Sequence, residues 1–283
     1  MHNQGLAQTT ILQTVRVVLA LVDALGGEPA RFDAVALRDF VLSYVRQHAQ
    51  SSAGTVATNI RRFLRYLIAR GRCRTDLVEA VPRVPTWSMT RLPQYLPADD
   101  VERIVAASDL QQGTALRNRA MLLLLLARLG LRGHEVVKLR LDDIDWSHAR
   151  LRVCGKEGRE TRLPLPQDVG DAILRYLQAR PTASGDFVFI TSEAPIGPIS
   201  ASGLRDVVGR AIRRAGVRSP SHGTHILRHS LASRLLRRGA SLDAIGAVLR
   251  HRNVDTTALY AKVDVDLLRQ VAQPWPDAEG SPC

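Results

Sequence analysis

His225-Ile226-Leu227-Arg228-His229 sets a histidine and an arginine three positions apart, which puts them on adjacent turns of one helical face. Downstream, Leu249-Arg250-His251 ends in a histidine 23 residues after Arg228, and Thr256-Thr257-Ala258-Leu259-Tyr260 ends in a tyrosine nine residues after His251. Upstream, Leu129-Gly130-Leu131-Arg132-Gly133-His134-Glu135 closes one apolar run and opens another, and Lys156 in Val153-Cys154-Gly155-Lys156 follows Arg132 by 24 residues. Each motif alone is weak, and their order and spacing carry the weight.

Outward from this constellation the chain reads as mainly α with a small β-sheet (α+β). Apolar residues recur at helical spacing from Ile11 to Leu25 and from Leu37 to Val45, the second run behind an Asp33 cap. A third helix, Ala53 to Ala69, turns Ile60, Leu64 and Leu67 inward and carries Arg61, Arg62 and Arg65 on its other side. No acid occurs from Ser51 to Thr75, so ion pairing along the helix does not explain that basic face, and phosphate contact does. Prolines 82, 85, 93 and 97 mark a linker. The domains are therefore residues 1–82, a helical unit with a basic face; residues 83–96, the linker; and residues 97–283, a second unit with a C-terminal tail.

In that second unit, helices are expected at Ala98 to Ala107, Leu116 to Leu129, briefly after Gly133, and at Gln167 to Ala179. Further helices follow at Ser202 to Ala215, Thr224 to Arg238, Leu242 to Leu249 and Thr256 to Ala272. Arg150 to Cys154 and Glu160 to Leu165 alternate like strands around Gly155-Lys156-Glu157-Gly158, a hairpin with Lys156 at its tip.

Composition narrows the function. The chain has 283 residues, 39 of them Lys or Arg against 27 Asp or Glu, for a net charge of +12. Each half carries +6, so both face the same kind of polyanion, with nucleic acid ahead of an anionic membrane surface. Only three basic residues are lysines, Lys138, Lys156 and Lys262, a bias that GC-rich coding largely explains. The 45% apolar content excludes a disordered basic tail. Cys73, Cys154 and Cys283 form no CxxC pair, which excludes a disulfide scaffold and fits a reducing cytoplasm. No secretory signal is visible, and the most apolar run, Ala120 to Leu131, contains Arg128 and is too short for a membrane helix, which needs about 20 residues.

The ordered set Arg132, Lys156, His225, Arg228, His251 and Tyr260 resembles the tyrosine recombinase, or phage integrase, family. The resemblance spans Leu96 to Lys262 and extends more loosely to the helical N-terminal half. It implies a SAM-like core-DNA-binding domain followed by a tyrosine-recombinase catalytic domain. It also implies a site-specific recombinase that cuts and rejoins DNA through a 3′-phosphotyrosyl intermediate and a Holliday junction. Arg132 and Arg228 match the pair that binds the nonbridging oxygens of the scissile phosphate; Tyr260 matches the nucleophile. His225 matches the proton-handling residue, His251 a phosphate ligand, Lys156 the general acid for the departing 5′-oxygen, and Glu135 a supporting residue. Since a phosphotyrosine conserves the bond energy, no cofactor, ATP or metal is required. The implied partner is a double-stranded DNA core site with inverted half-sites, on which protomers pair and then form a tetramer, with a second recombinase as a further candidate partner. The short N-terminus points to the compact Xer-like or mobile-element type, without an extra arm-site-binding domain. By resemblance, Leu267, Leu268 and Val271 in the tail dock on a neighbouring protomer, or equally pack on their own domain.

The chemistry is coherent. Attack on a phosphodiester concentrates negative charge that two guanidinium forks stabilise, and a phenol near pKa 10 needs help to lose its proton. Among the other tyrosines, Tyr44, Tyr66 and Tyr176 lie on amphipathic helices, where they are expected to pack, and Tyr95 lies in the linker. His222, His225 and His229 mimic a metal face, but zinc wants a further donor, and Pro220 and Gly223 interrupt the helix. His229 is read as a packing or hydrogen-bonding residue on a different side from His225.

Two departures stand out. The family usually has glycine where Arg250 stands; Arg250 either adds a phosphate contact, as a DNA-binding residue, or displaces His251. His134 stands where a small residue is common. Two other readings are a non-cleaving DNA-binding accessory relative, which Arg250 encourages, and a type IB topoisomerase with the same intermediate.

Overall fold

The computed structural model describes residues 8–48, 53–83, 93–108, 113–124, 129–155, 160–182 and 185–251, together with Thr257 and Tyr260. Lys156, residues 84–92 of the expected linker and the tail from residue 261 lie outside the described residues. The chain divides into two compact units, Met1–Thr90 and Arg91–Cys283.

The first unit is helical: α1 (Gln8–Leu25), α2 (Ala34–Gln47), α3 (Ala53–Ala69) and a single turn, α4 (Leu77–Ala80). Asp33 caps α2 as expected, its carboxylate accepting from the backbone N–H groups of Val35 and Ala36 at 2.9 and 3.0 Å. Helical periodicity puts Val17, Leu21, Leu37, Val41, Ile60, Leu64 and Leu67 into one core. Tyr66 differs from the expectation that it packs: it is 54% exposed, with the Arg70 guanidinium over its ring at 5.3 Å.

The second unit carries α5 (Ala98–Ala106), α6 (Thr114–Leu122), α7 (Gly133–Val137), α8 (Gln167–Ala179), α9 (Ala201–Arg214), α10 (Thr224–Arg237) and α11 (Leu242–Leu249). A three-stranded antiparallel sheet runs in the order β1 (Ile144–Asp145), β2 (Arg150–Cys154), β3 (Glu160–Pro164). The expected hairpin is β2–β3, with Leu151 opposite Leu163 and Val153 opposite Thr161. Alternation buries Leu151 and Val153 and leaves Arg150 and Cys154 outside. The fold is thus mainly helical with a small sheet, as the sequence indicates. No helix among the described residues is long and apolar enough to cross a membrane.

Three features of this core position the functional side chains. Ser200 and Ser241 cap α9 and α11 by accepting from Gly203 and Ala244. Gly130, between α6 and α7, has a φ of +53°, and a Cβ there would meet a Leu231 side-chain methyl at 2.7 Å; both facts favour glycine. Finally, α10 is tied to the start of the unit. The buried Ser230 hydroxyl accepts from the Leu96 N–H at 2.8 Å and donates to the Ile226 carbonyl at 2.8 Å. Ser230→Ala strands the Leu96 N–H in the core. Chemical denaturation should show a loss of about 1–3 kcal/mol with an unchanged m-value.

Candidate active site

The functional side chains converge on the C-terminal end of α11. Helix ends leave carbonyls without intrahelical partners, and two arginines fill these. Arg228, on α10 and 4% exposed, reaches the carbonyls of Leu249 and Gly130 through its two terminal nitrogens. Arg132, at the head of α7, donates from Nη2 to the Arg250 carbonyl at 2.9 Å and from Nη1 to Glu135 Oε1 at 3.0 Å. Two residues 96 apart in sequence are thereby anchored on consecutive carbonyls of one helix end. Each guanidinium carries more N–H donors than these contacts use. Burial, then the charges of Arg132 and Arg250, push the Arg228 pKa down to about 10, so it is still protonated at neutral pH.

Glu135 holds this arrangement together. Its carboxylate is wholly buried; Oε2 accepts the Arg132 backbone N–H at 2.7 Å, the reciprocal half of a capping arrangement at the start of α7. The same oxygen accepts from Arg250 Nη2 at 2.9 Å. Arg250, which the sequence offers either as a phosphate contact or as a residue that displaces His251, has a side chain 12% exposed and turned inward onto Glu135. It adds a second cation, beside Arg132, to a carboxylate that burial would otherwise leave costly to keep charged.

Tyr260 is 1% exposed, and burial pushes its phenol up to about 12 despite the favourable Arg228 charge. Its hydroxyl lies 2.6 Å from His229 Nδ1. Burial first, then the charges of His225 and Arg228, bring His229 down to about 4, so the ring is neutral and Nδ1 can accept the phenolic hydrogen. The His251 ring runs parallel to Tyr260 at 6.2 Å, and His251 Nδ1 meets the buried Thr257 hydroxyl at 2.9 Å. Burial and the charges of Arg228 and Arg132 lower His251 to about 4 as well. His225 reaches the surface, with a pKa below its ordinary value because its inner side is desolvated and Arg228 and Arg132 lie near. Cations, neutral imidazoles and a protonated phenol are gathered here, a set of groups whose chemistry suits an anion that is attacked by an oxygen.

Residues 94–266 match the Phage integrase family. The chain belongs to that family. Within it, the chain is 49% identical over 249 residues to a putative integrase/recombinase, y4rA, of Sinorhizobium fredii, covering 87% of this chain and 60% of that one. A second Sinorhizobium fredii relative, y4rF, is covered over 55% of its length, so the chain spans little more than half of these two relatives. The tyrosine recombinase XerD of Vibrio vulnificus is 30% identical over 280 residues, 95% of this chain and 89% of that one. In fold, the chain resembles a lambda integrase dimer bound to a COC′ core site, with a TM-score of 0.69, 19% identity and coverage of 97% and 93%. It also resembles a XerH recombinase bound to palindromic difH substrate, with a TM-score of 0.70, 19% identity and coverage of 84% and 71%.

Against this family background, five of the six positions marked from sequence lie in the described residues: Arg132, Arg228, His251 and Tyr260 around one helix end, and His225 one turn before His229 on α10; Lys156 does not. His229 hydrogen-bonds, as the sequence suggests, but it does not lie on a different side of the helix from His225. Its ring lies 6.4 Å from that of His225 on the same helical side, and it is His229 that touches the phenol. The i,i+4 spacing of the two histidines was the available signal. On the first unit, Arg61 sends Nη2 to the carbonyls of Val81 and Pro82, both at 2.9 Å, and so ties α3 to the chain leaving α4. Arg65 is exposed and Arg62 half-buried on the same helix. No group of three or more His, Cys, Asp or Glu side chains among the described residues is arranged to hold a metal ion.

The Glu135 cluster has a pH signature. Burial alone would raise the Glu135 pKa; the Arg250 charge and the Arg132 backbone and side-chain donors overcome it and hold the carboxyl below its ordinary range. The folded pKa therefore lies below the unfolded one. The stabilisation is complete above the unfolded value, about 4.3, and is lost as pH falls through the depressed folded value. Thermal melts of wild type and Glu135→Gln across pH 3 to 7 should show a shallower acid loss in the variant.

Proposed function

We propose that this chain is the DNA-cleaving and rejoining part of a tyrosine-type site-specific recombinase. The observation that carries this reading is the convergence of Arg132, Arg228, His251, His229 and Tyr260 on the end of α11. In the proposed reaction the scissile phosphate sits on the two arginine forks, whose charge favours the pentacoordinate transition state. Tyr260 Oη forms the new bond to phosphorus and the bond to the 5′-oxygen breaks. A 3′-phosphotyrosine and a free 5′-hydroxyl result, with the bond energy retained for rejoining.

The phenolic proton must leave as attack proceeds, because a hydroxyl with a pKa of about 12 is not ionised in advance. His229 Nδ1 is the acceptor already in place, and His225, at the surface beside Arg132 and Arg228, is suited to the phosphate side. Lys156 is proposed as the donor to the 5′-oxygen by family resemblance. The buried phenol supports a further feature: the DNA-free chain stores its nucleophile on His229, and engagement of the duplex brings it out to the phosphate.

The first unit is proposed as the core-DNA-binding domain, with Arg62 and Arg65 towards phosphates and Arg61 as an internal tether. The lambda integrase relative is a dimer on a core site; by analogy this chain pairs on inverted half-sites and exchanges strands through a tetramer and a Holliday junction. A nicked suicide substrate built from the DNA flanking the native gene tests the reading. A covalent protein–DNA adduct retaining a label on the 3′-phosphate side, with a free 5′-hydroxyl on the released strand, supports it. Tight binding without an adduct supports a non-cleaving relative instead, and supercoil relaxation without site preference supports a topoisomerase.

A further inference from the structure

We infer that Arg250 is a positioning residue for Arg132, holding it in a one-armed contact with Glu135 so that the rest of its fork is available to the phosphate. This rests on the reading of Arg132 as a phosphate ligand. Arg250 ends α11 in a left-handed conformation, with φ 55° and ψ 47°. Its N–H bonds to the Ala247 carbonyl at 3.1 Å and the next N–H, of His251, to the Gly246 carbonyl at 2.9 Å. This is the Schellman arrangement, whose left-handed position is ordinarily glycine. Among the described residues, only Ala149 and Arg250 are non-glycine residues at positive φ. A side chain kept at a backbone position that disfavours it calls for an account of what it does.

The side chain supplies one. Glu135 presents two oxygens in a dry site, and an arginine beside a carboxylate prefers to meet both with a parallel fork. Oε2 is already taken by Arg250 Nη2 at 2.9 Å and by the Arg132 backbone N–H at 2.7 Å. Arg132 is left with Oε1 for Nη1, while its Nη2 is directed at the Arg250 carbonyl at 2.9 Å. One residue thus fixes Arg132 twice: its carbonyl receives one arm, and its guanidinium blocks the bidentate pair that would rotate the fork away. Glycine would supply the carbonyl but not the block.

Cleavage rates of Arg250→Gly and Arg250→Asn, both compatible with left-handed backbone, provide the test at saturating enzyme. Each variant is compared on an ordinary suicide substrate and on one with a methylphosphonate at the scissile position. The methylphosphonate lacks the charged nonbridging oxygen that a misplaced Arg132 would fail to hold. On phosphate, a loss on the order of 10- to 100-fold is expected, and on methylphosphonate less than about 3-fold. Adding Glu135→Gln to Arg250→Gly should return part of the lost rate, since a neutral amide no longer captures the fork. Wild-type rates in both variants, or equal losses on both substrates accompanied by lowered Tm, overturn the inference. Absence of an adduct from wild type itself would instead overturn the reading of the site on which it depends.

Discussion

Tyr260→Phe is expected to abolish strand cleavage, with no covalent adduct detectable, while binding of the duplex stays within about twofold of wild type. The substitution removes one oxygen from a ring that is otherwise fully packed, so the core around Leu231, Ile245 and Leu249 keeps its shape. The structural cost is the partner lost by His229 Nδ1, about 1–3 kcal/mol and too little to unfold the unit. A variant that is folded, bound and inert separates nucleophilic chemistry from DNA affinity. Denaturation curves, a mobility-shift titration and the suicide-substrate assay provide the three readouts.

Arg228→Ala is expected to fail on two counts. Loss of a preorganised cation from the phosphate should cost at least about 10²–10³ in cleavage rate. Unlike Tyr260→Phe, it should also lower stability. The Gly130 and Leu249 carbonyls both depend on this guanidinium, and each unsatisfied buried group costs about 1–3 kcal/mol. Arg228→Lys keeps the charge but cannot reach two carbonyls and a phosphate with a rigid fork, so it should remain impaired in both respects. Single-turnover cleavage and Tm, measured on the same preparations, give both effects. A fast, fully stable Arg228→Ala would separate the residue from the role given to it.

What was legible in the sequence was what depends on local pattern. Asp33 ahead of an apolar helical run is a cap because its short carboxylate reaches the first N–H groups, and the alternation from Arg150 to Cys154 is a half-buried strand. The family was legible because the ordered polar residues from Arg132 to Tyr260 match it in type and spacing. What was not legible depends on contacts between distant parts of the chain. β1 is two residues long, too short for alternation to register. Arg61 reads as one more basic residue on an exposed face until the carbonyls of Val81 and Pro82 are brought to it. Arg250 reads as a misplaced charge until Glu135, 115 residues away, is seen to be buried beside it. His229 was read on the wrong side of its helix although i,i+4 neighbours share a face, and its partner, Tyr260, arrives from 31 residues on. The excess of basic residues in the composition therefore has distinct destinations: two arginines on one helix end, a third directing one of them, and others tethering or facing outward.

The most direct test of the central claim is to identify the amino acid that carries the DNA. Protein trapped on a suicide substrate is digested with protease and nuclease, and the nucleotide-bearing peptide is sequenced by mass spectrometry. A nucleotide 3′-phosphate linked to Tyr260 is the predicted result. Attachment at Tyr44, Tyr66, Tyr95 or Tyr176, or at any residue that is not a tyrosine, would contradict it.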